Sequence, residues 1–448
     1  MKTSRRAFTT TLTLGSLTLV FDPGIAFGQD DCTLPTPGTA TRFIPAEPRI
    51  VPRISAADLG QPARAVQLKA YRDAFGKIRA LPASDTIGWT KQIAQHCIQC
   101  DPTNTKNIHY DWQFVGWHRA YLYFLERILR SRVGGGGDEL RLVYWDWENA
   151  ASRTLPAIFA PANQPLYYDN RGDLSGPNWP LTDDDVDVQG LLAIQQFSQF
   201  GGTATQKKPV PAVFSGPHAN VHNNFDPGDM ADLQYSPRDP VFYAHHANID
   251  RLWSSWVAAG HRNPDFGSAK VYFYDETRTW RYVLLNDLRD ERKLGYQYST
   301  LMQPATPVRS LTTVRLGRRN ADFVLPSETR LPLRSQPSAA AFLLITNIQN
   351  LESFPETARE FGIFMKAVAA GVAANAESGY LGKASRVFSR QHAHAGPLSA
   401  SLNVTGKGAA MAEAEDGTIK LYIAPLTAAG VTSAAGVPLT AEGVSLIR

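Results

Sequence analysis

The chain has 448 residues, with 45 Lys and Arg against 41 Asp and Glu and a formal net charge of +4. That is longer than one hydrophobic core usually serves, so two domains are expected. No basic stripe argues for nucleic acid as a partner, and no apolar run is long enough to cross a membrane.

Residues 1–28 set Arg5 and Arg6 ahead of a mildly apolar, Thr-rich run and the small-residue site around Ala26 and Gly28. This is the order of a twin-arginine export signal. It predicts a bacterial source, the export machinery as a partner, and a periplasmic or secreted protein folded before export. Removing residues 1–28 takes away Lys2, Arg5, Arg6 and Asp22 and leaves a nearly neutral chain. The cysteines are Cys32, Cys97 and Cys100. Cys97 and Cys100 form a CxxC, which reads as a redox pair or half a zinc site. No second CxxC and no thioredoxin-like strand–helix setting accompanies it.

Residues 32–53 are Pro-rich and irregular. Residues 56–80 carry Val66, Leu68, Tyr71, Phe75 and Ile78 at helical spacing, which predicts an amphipathic helix. A helix over 86–97 carries His96. His109 falls in a loop. Trp117 and His118 open a helix through Arg130, with Tyr121, Phe124, Leu125, Ile128 and Leu129 as its apolar face. The glycines 134–137 end it, and LRLVYWDWEN follows. Residues 160–190 read as loop. Asp183, Asp184 and Asp185 read as a solvated turn, because their spacing lacks the alternating ligands of a calcium loop.

The densest signal lies between Phe214 and Trp253, in FSGPHANVHNNF and SPRDPVFYAHHANIDRLW. His218 and His222 are four apart and share one helical face. His245 and His246 follow a Pro-containing turn and open another helical run. An HxxxH pair alone is a weak signal. With His96, His109 and His118 upstream, two histidine triads describe a binuclear metal site. Neutral imidazole suits zinc, copper, iron or nickel, whereas calcium and magnesium want oxygen. The lack of a carboxylate in either motif favours copper, and zinc has no redox couple to offer.

These segments resemble the two copper-binding regions of the type 3 copper family, which holds tyrosinases, catechol oxidases and the oxygen-carrying hemocyanins. The resemblance is greatest to plant-type polyphenol oxidases. It implies two copper ions as cofactors, with His96, His109 and His118 on one and His218, His222 and His246 on the other, and dioxygen as co-substrate. No catalytic residue beyond these ligands is implied. It implies a mainly α-helical catalytic domain, with a four-helix bundle holding the dicopper site, followed by a C-terminal β-sandwich that shields it. His245 is implied as a neighbour of the ligands rather than a ligand. Asp250, four residues after His246, is expected to orient a ligand histidine; the bland alternative is a surface pair with Arg251 or Arg238.

The same resemblance implies a Cys32–Cys97 disulfide and a Cys100–His109 thioether. The disulfide would close a loop of roughly 60 residues, worth about 4 kcal/mol. The thioether would hold a ligand that sits on a loop.

The chain departs from its relatives at several positions around the second copper site. Many tyrosinases and plant-type oxidases carry a glutamate shortly before the first histidine of the second copper site, holding a water that helps deprotonate a phenol. Here KKPVPAVFSGPH has no carboxylate, and Phe214 stands near that position. Ala219 follows His218, where tyrosinases often have asparagine. Asn223 remains available to a substrate or water, and Leu233 or Gln234 falls where an aromatic gate would stand.

Tyr296-Gln297-Tyr298 matches the tyrosine motif that closes the catalytic domain. Residues 303–340 read as linker. AAFLLITNI, REFGIFMKAV, SASLNVTGK and TIKLYIAPL then read as strands. The expected organisation is a signal over 1–28, a dicopper domain over 29–302, a linker over 303–340 and a β-rich lid over 341–448. His392 and His394 are read as exposed loop residues, with copper loading the sharper alternative. The expected function is a latent oxidase of o-diphenols, with a small phenol as substrate and a protease as activator. The rivals are a tyrosinase with monophenol hydroxylase activity and a hemocyanin-like dioxygen carrier.

Overall fold

The computed structural model describes residues 37–448, except 101–106, 135–136, 177, 206–207, 320–321, 327–328, 330–332, 334–335, 337, 388–396, 408–409, 412–416, 428 and 433–434. Residues 1–28, read above as an export signal, together with Cys32, His392 and His394 lie outside the described residues.

Four long helices frame the first half. They are α1 (Ala65–Arg79), α2 (Trp89–Gln99), α3 (Gln113–Ser131) and, much later, α4 (Val241–Ala258). The expected helix over 56–80 is broken: Ala56–Leu59 and Pro62–Arg64 are short turns before α1. Tyr71, Ala74, Phe75 and Ile78 are its buried stripe. Val66 was expected on that face but is 84% exposed. At about 100° per residue it sits roughly 140° round the helix from Tyr71.

Helix α3 is buried along almost its whole length. The Asp111 carboxylate accepts from the Gln113 backbone N–H at 2.7 Å, satisfying one donor that a helix start leaves orphaned. Gly116 lets α3 approach the 3-10 turn at Leu285: a Cβ there would lie 2.8 Å from Leu285 Cδ2. Asp239 starts α4 by accepting from the Val241 N–H at 3.0 Å, and is itself held by both arms of Arg171 at 2.6 and 2.7 Å. The Tyr121 hydroxyl ties three helices together. It lies 2.6 Å from the Gln92 carbonyl of α2 and 2.9 Å from the Tyr243 hydroxyl of α4.

The second half is a β-sandwich, as expected. Its strands are β1 (Thr313–Arg315), β2 (Phe342–Ile348), β3 (Glu360–Phe364), β4 (Tyr380–Ser385), β5 (Leu398–Asn403), β6 (Tyr422–Thr427) and β7 (Ala441–Ile447). One sheet runs β5-β2-β7-β1, and β4-β3-β6 form the main part of the other. Leu343, Ile345, Leu402 and Leu446 from the first sheet meet Phe361, Ile363, Leu381 and Ile423 from the second in one core. The expected linker is partly strand: β1 pairs antiparallel with β7, and Gly317–Arg319 and Asp322–Val324 pair with each other. This stretch therefore begins the sandwich. Its Arg-rich pattern hides that, because β1 has no buried side chain.

The sandwich is laid on the helical half. Lys383 of β4 reaches Asp185 at 2.6 Å and Glu360 at 3.0 Å. Arg359 pairs with Asp226 at 2.9 Å, and the Asn347 side chain accepts from the Val210 N–H at 2.9 Å. Gly190 permits the contact with β5, since a Cβ there would meet Ser401 Oγ at 2.4 Å. Asp185 thus corrects the reading of 183–185 as a solvated turn. Asp183 and Asp184 are exposed, but Asp185 is buried, boxed with Thr182 and paired across the domain boundary.

Candidate metal centre

Six histidines form two facing triangles. The rings of His96, His109 and His118 lie 5.2, 5.3 and 5.5 Å apart. Those of His218, His222 and His246 lie 4.7, 5.1 and 5.5 Å apart. Across the gap His118 stacks on His246 at 4.3 Å, and His109 faces His218 at 6.3 Å. All six rings are buried.

Each ring is positioned by local structure. His96 sits in the last turn of α2 and His118 in the second turn of α3. His109 sits in a 3-10 turn, Ile108–Tyr110, as the loop reading required. His218 ends an irregular turn, Phe214–His218, that holds Pro217 and a non-helical Gly216. Helix α4 presents His245 and His246 together, and between α4 and that turn the short helix Ala219–Asn223 carries His222.

Hydrogen bonds fix which nitrogen faces the gap. Nδ1 of His118 donates to the Phe114 carbonyl at 2.7 Å, and Nδ1 of His218 to the Phe214 carbonyl at 3.1 Å. Nδ1 of His222 donates to the Met230 carbonyl at 2.6 Å, and Nδ1 of His109 to Asn107 Oδ1 at 3.0 Å. An oxygen acceptor on Nδ1 leaves Nε2 as a lone pair, the arrangement usual for metal-bound imidazole. Burial holds His118 at about 3 and His222 at about 4, and it drives His96, His218 and His246 well below the usual imidazole range. These five rings are therefore neutral and ready to ligate.

The donor set fits copper. Nε2 of His222 and Nε2 of His246 are 3.3 Å apart. Two nitrogens about 2.0 Å from one tetrahedral metal stand about 3.3 Å apart. Buried Nε2 of His118 and of His218 have no protein partner among the described residues. Buried lone pairs aimed into one gap and left without a partner among the described residues want a cation, and all-imidazole donors suit copper.

The remaining predicted residues surround this centre. Phe214 packs on His109 at 5.8 Å and on His218 at 5.2 Å. Ala219 and Leu233 form a small apolar cluster with Cys100 and Val387. Cys100 is a free, buried thiol, with Sγ 3.3 Å from His96 Nδ1 and 3.9 Å from His109 Nδ1. Burial, with Asp232 nearby, pushes its pKa up. Cys97 is disulfide-bonded. Asp250 does not orient a histidine. Its carboxylate is taken by Arg119 at 2.5 Å, Arg53 at 3.3 Å and the Tyr296 hydroxyl at 2.6 Å, with Tyr298 also donating. Nor is it a surface pair, since Asp250 and both arginines are buried. The residue lies on the outer side of α4, where the tyrosine motif docks.

Three contributors were not foreseen. Phe242 packs 4.1 Å from His246 and 5.0 Å from His96. Trp147 donates its indole N–H to His245 Nδ1 at 3.1 Å. Val387 reaches the centre from the sandwich and is fully buried. Phe242 is one turn before His246 and could have been read from spacing; the other two come from far along the chain.

Residues 86–178 and 163–259 match the common central domain of tyrosinase. Fold and site thus point to one class: residues 86–259 are similar to the common central domain of tyrosinase, and the chain is similar to plant polyphenol oxidases. Among its relatives, a chloroplastic polyphenol oxidase of Malus domestica is 31% identical over 293 residues, 54% of this chain and 48% of that protein. Catechol oxidase B of Solanum tuberosum is 28% identical over 316 residues, 61% of this chain and 53% of that protein. The chain spans about half the length of these curated relatives. The structure of latent apple tyrosinase superimposes with a TM-score of 0.65 at 21% identity, covering 91% of this chain and 100% of that one. That likeness extends the shared fold through the sandwich.

Proposed function

We propose that this protein is an exported dicopper oxidase that uses dioxygen to oxidise o-diphenols to o-quinones, and that it is latent while the β-sandwich is in place. The observation that carries the reading is Val387. It packs with Cys100, Ala219 and Leu233 beside the histidine triangles, where a phenol would enter. Two copper ions held by the six histidines would supply the one-electron steps that reduce one dioxygen with electrons from two diphenols. The chain's own contribution is position and dryness. Neutral imidazoles offer lone pairs, Phe214, Phe114 and Phe242 exclude water, and the apolar mouth receives a flat ring.

Phe214 and Ala219 support diphenol over monophenol oxidation. Neither can hold a water that takes a phenolic proton, and a catechol needs that help less. Asn223 is the nearby polar group at the mouth, and its amide is engaged by the lid. The Arg5–Arg6 signal, a Cys32–Cys97 bridge and a Cys100–His109 thioether belong to the same reading. The signal places the protein in the periplasm or outside the cell, with a protease as activator.

The test is oxygen uptake by the copper-loaded chain, with a catechol and the matching monophenol, before and after limited proteolysis within 303–340. Uptake with the catechol alone after cleavage supports the proposal. Uptake with both makes the protein a tyrosinase. Reversible dioxygen binding with no turnover, even after cleavage, rejects an enzyme.

A further inference from the structure

Helix α4 presents two adjacent buried histidines to the second triangle, and only one place is left in it. The nitrogens of His218, His222, His245 and His246 all come within 4.8 Å of one another, so distance alone does not choose. Hydrogen bonding does. The other oriented rings around the centre give their Nδ1 proton to an oxygen. His245 is reversed. Its Nδ1 receives the indole N–H of Trp147, which can only donate. A neutral imidazole that accepts at Nδ1 carries its proton on Nε2. Nε2 of His245 therefore presents a hydrogen, not a lone pair, and it has no hydrogen-bond partner among the described residues.

Resting on the dicopper reading above, we propose that Trp147 is a tautomer lock: it holds the proton of His245 on Nε2 and so keeps that ring out of the copper shell, leaving the third position to His246. For His245 to ligate through Nε2, its Nδ1 would have to take the proton. Two N–H groups would then face each other across 3.1 Å in a dry interior. The lock is rigid. Trp147 is fully buried, and the Trp145 N–H two residues earlier bonds to the Ala244 carbonyl of α4 at 2.9 Å. His245 is a positioning neighbour here, stacked 5.7 Å from His218 and edge-on to His222 at 4.9 Å.

Copper content of the full chain, measured by elemental analysis after loading with excess copper and desalting, tests this. His245→Gln keeps two copper ions per chain and His246→Gln keeps one. Trp147→Phe in the His246→Gln background removes the indole donor, frees Nε2 of His245 and restores the second ion. Two ions in His246→Gln alone, or one in the double variant, would overturn the lock. Nitrogen NMR of the metal-free chain, with ¹⁵N-labelled histidine, reads the proton directly. The expected result is Nε2–H on His245 in the wild type and a shift toward Nδ1–H in Trp147→Phe. Nδ1–H on His245 in the wild type overturns the proposal whether or not copper binds. A wild type that binds no copper while His245 carries Nε2–H defeats the dicopper reading instead.

Discussion

The side-chain amide of Asn223, one residue after His222, donates to the backbone carbonyl of Arg386 at 3.1 Å. This joins the rim of the metal centre to the segment that carries Val387. Arg386 is held from behind, its guanidinium donating to the carbonyls of Pro355, Glu356 and Ala358 at 3.1, 3.1 and 2.7 Å. The plug therefore has a stiff backing and a direct latch on the catalytic side.

Val387→Gly shortens the plug without touching the histidines, so it should raise catechol-driven oxygen uptake of the uncleaved chain severalfold. Proteolysis should then add little. Losing a buried aliphatic side chain costs about 1–3 kcal/mol, which the sandwich core can bear. Asn223→Ala should also raise the uncleaved rate by releasing the latch, yet lower the rate of the cleaved enzyme by removing the polar group at the mouth. Uncleaved rates that match the wild type in both variants would remove Val387 from the role of plug.

One ionic tie of the lid is Lys383, which sits between Asp185 and Glu360. Lys383→Met leaves the buried Asp185 carboxylate without its cation and takes one cation from Glu360, and breaking a buried pair this way typically costs about 3–5 kcal/mol. The lid should open more often, seen as faster proteolysis and higher uncleaved activity. Unchanged cleavage kinetics would show that apolar packing alone holds the domains together.

What could be read in advance was what is local. His96, His118, His218, His222 and His246 sit on or beside helices whose period is written in neighbouring residues, so their convergence was legible. The sandwich strands were legible for the same reason, in short apolar, β-rich runs such as Phe342–Ile348. The contacts that regulate and orient the site were not. Trp147 and His245 are 98 residues apart, and Asn223 and Arg386 are 163 apart. Asp250 was misread because its spacing from His246 suggests a shared face, whereas Arg53 and Arg119 claim its oxygens from other elements.

Asp187 supplies a pH test of the boundary. It lines a small cavity between the domains with Asp184, Lys383 and Lys407. Burial, helped by Asp184 and Asp183, pushes its carboxyl up to about 6. The folded chain thus holds this proton more tightly than the unfolded chain, whose carboxyl titrates near 4. Its effect favours the fold at low pH and is lost as pH rises from about 4 through 6. Asp187→Asn should therefore raise the melting temperature at pH 7.5 and change it little at pH 4. A variant less stable than the wild type at pH 7.5 would mean that the two lysines hold the ionised carboxylate.

Asp250 separates an architectural role from a metal-orienting one. Its carboxylate pairs with both Arg53 and Arg119, whose other carboxylate partners are Glu126 and Glu291, and these two guanidiniums also lie over the rings of Tyr296 and Trp253 at 3.5 and 3.9 Å. Asp250→Asn keeps the shape but leaves two buried cations short of an anion, a loss of about 3–5 kcal/mol. In a domain of this size each kcal/mol shifts the melting temperature by about 2–4 °C, so a fall of roughly 10 °C is expected. The folded variant should still bind two copper ions per chain, because among the described residues this carboxylate is held by arginines and tyrosines. A variant that melts like the wild type but loses one copper would reverse the assignment and return Asp250 to the ligand shell's support.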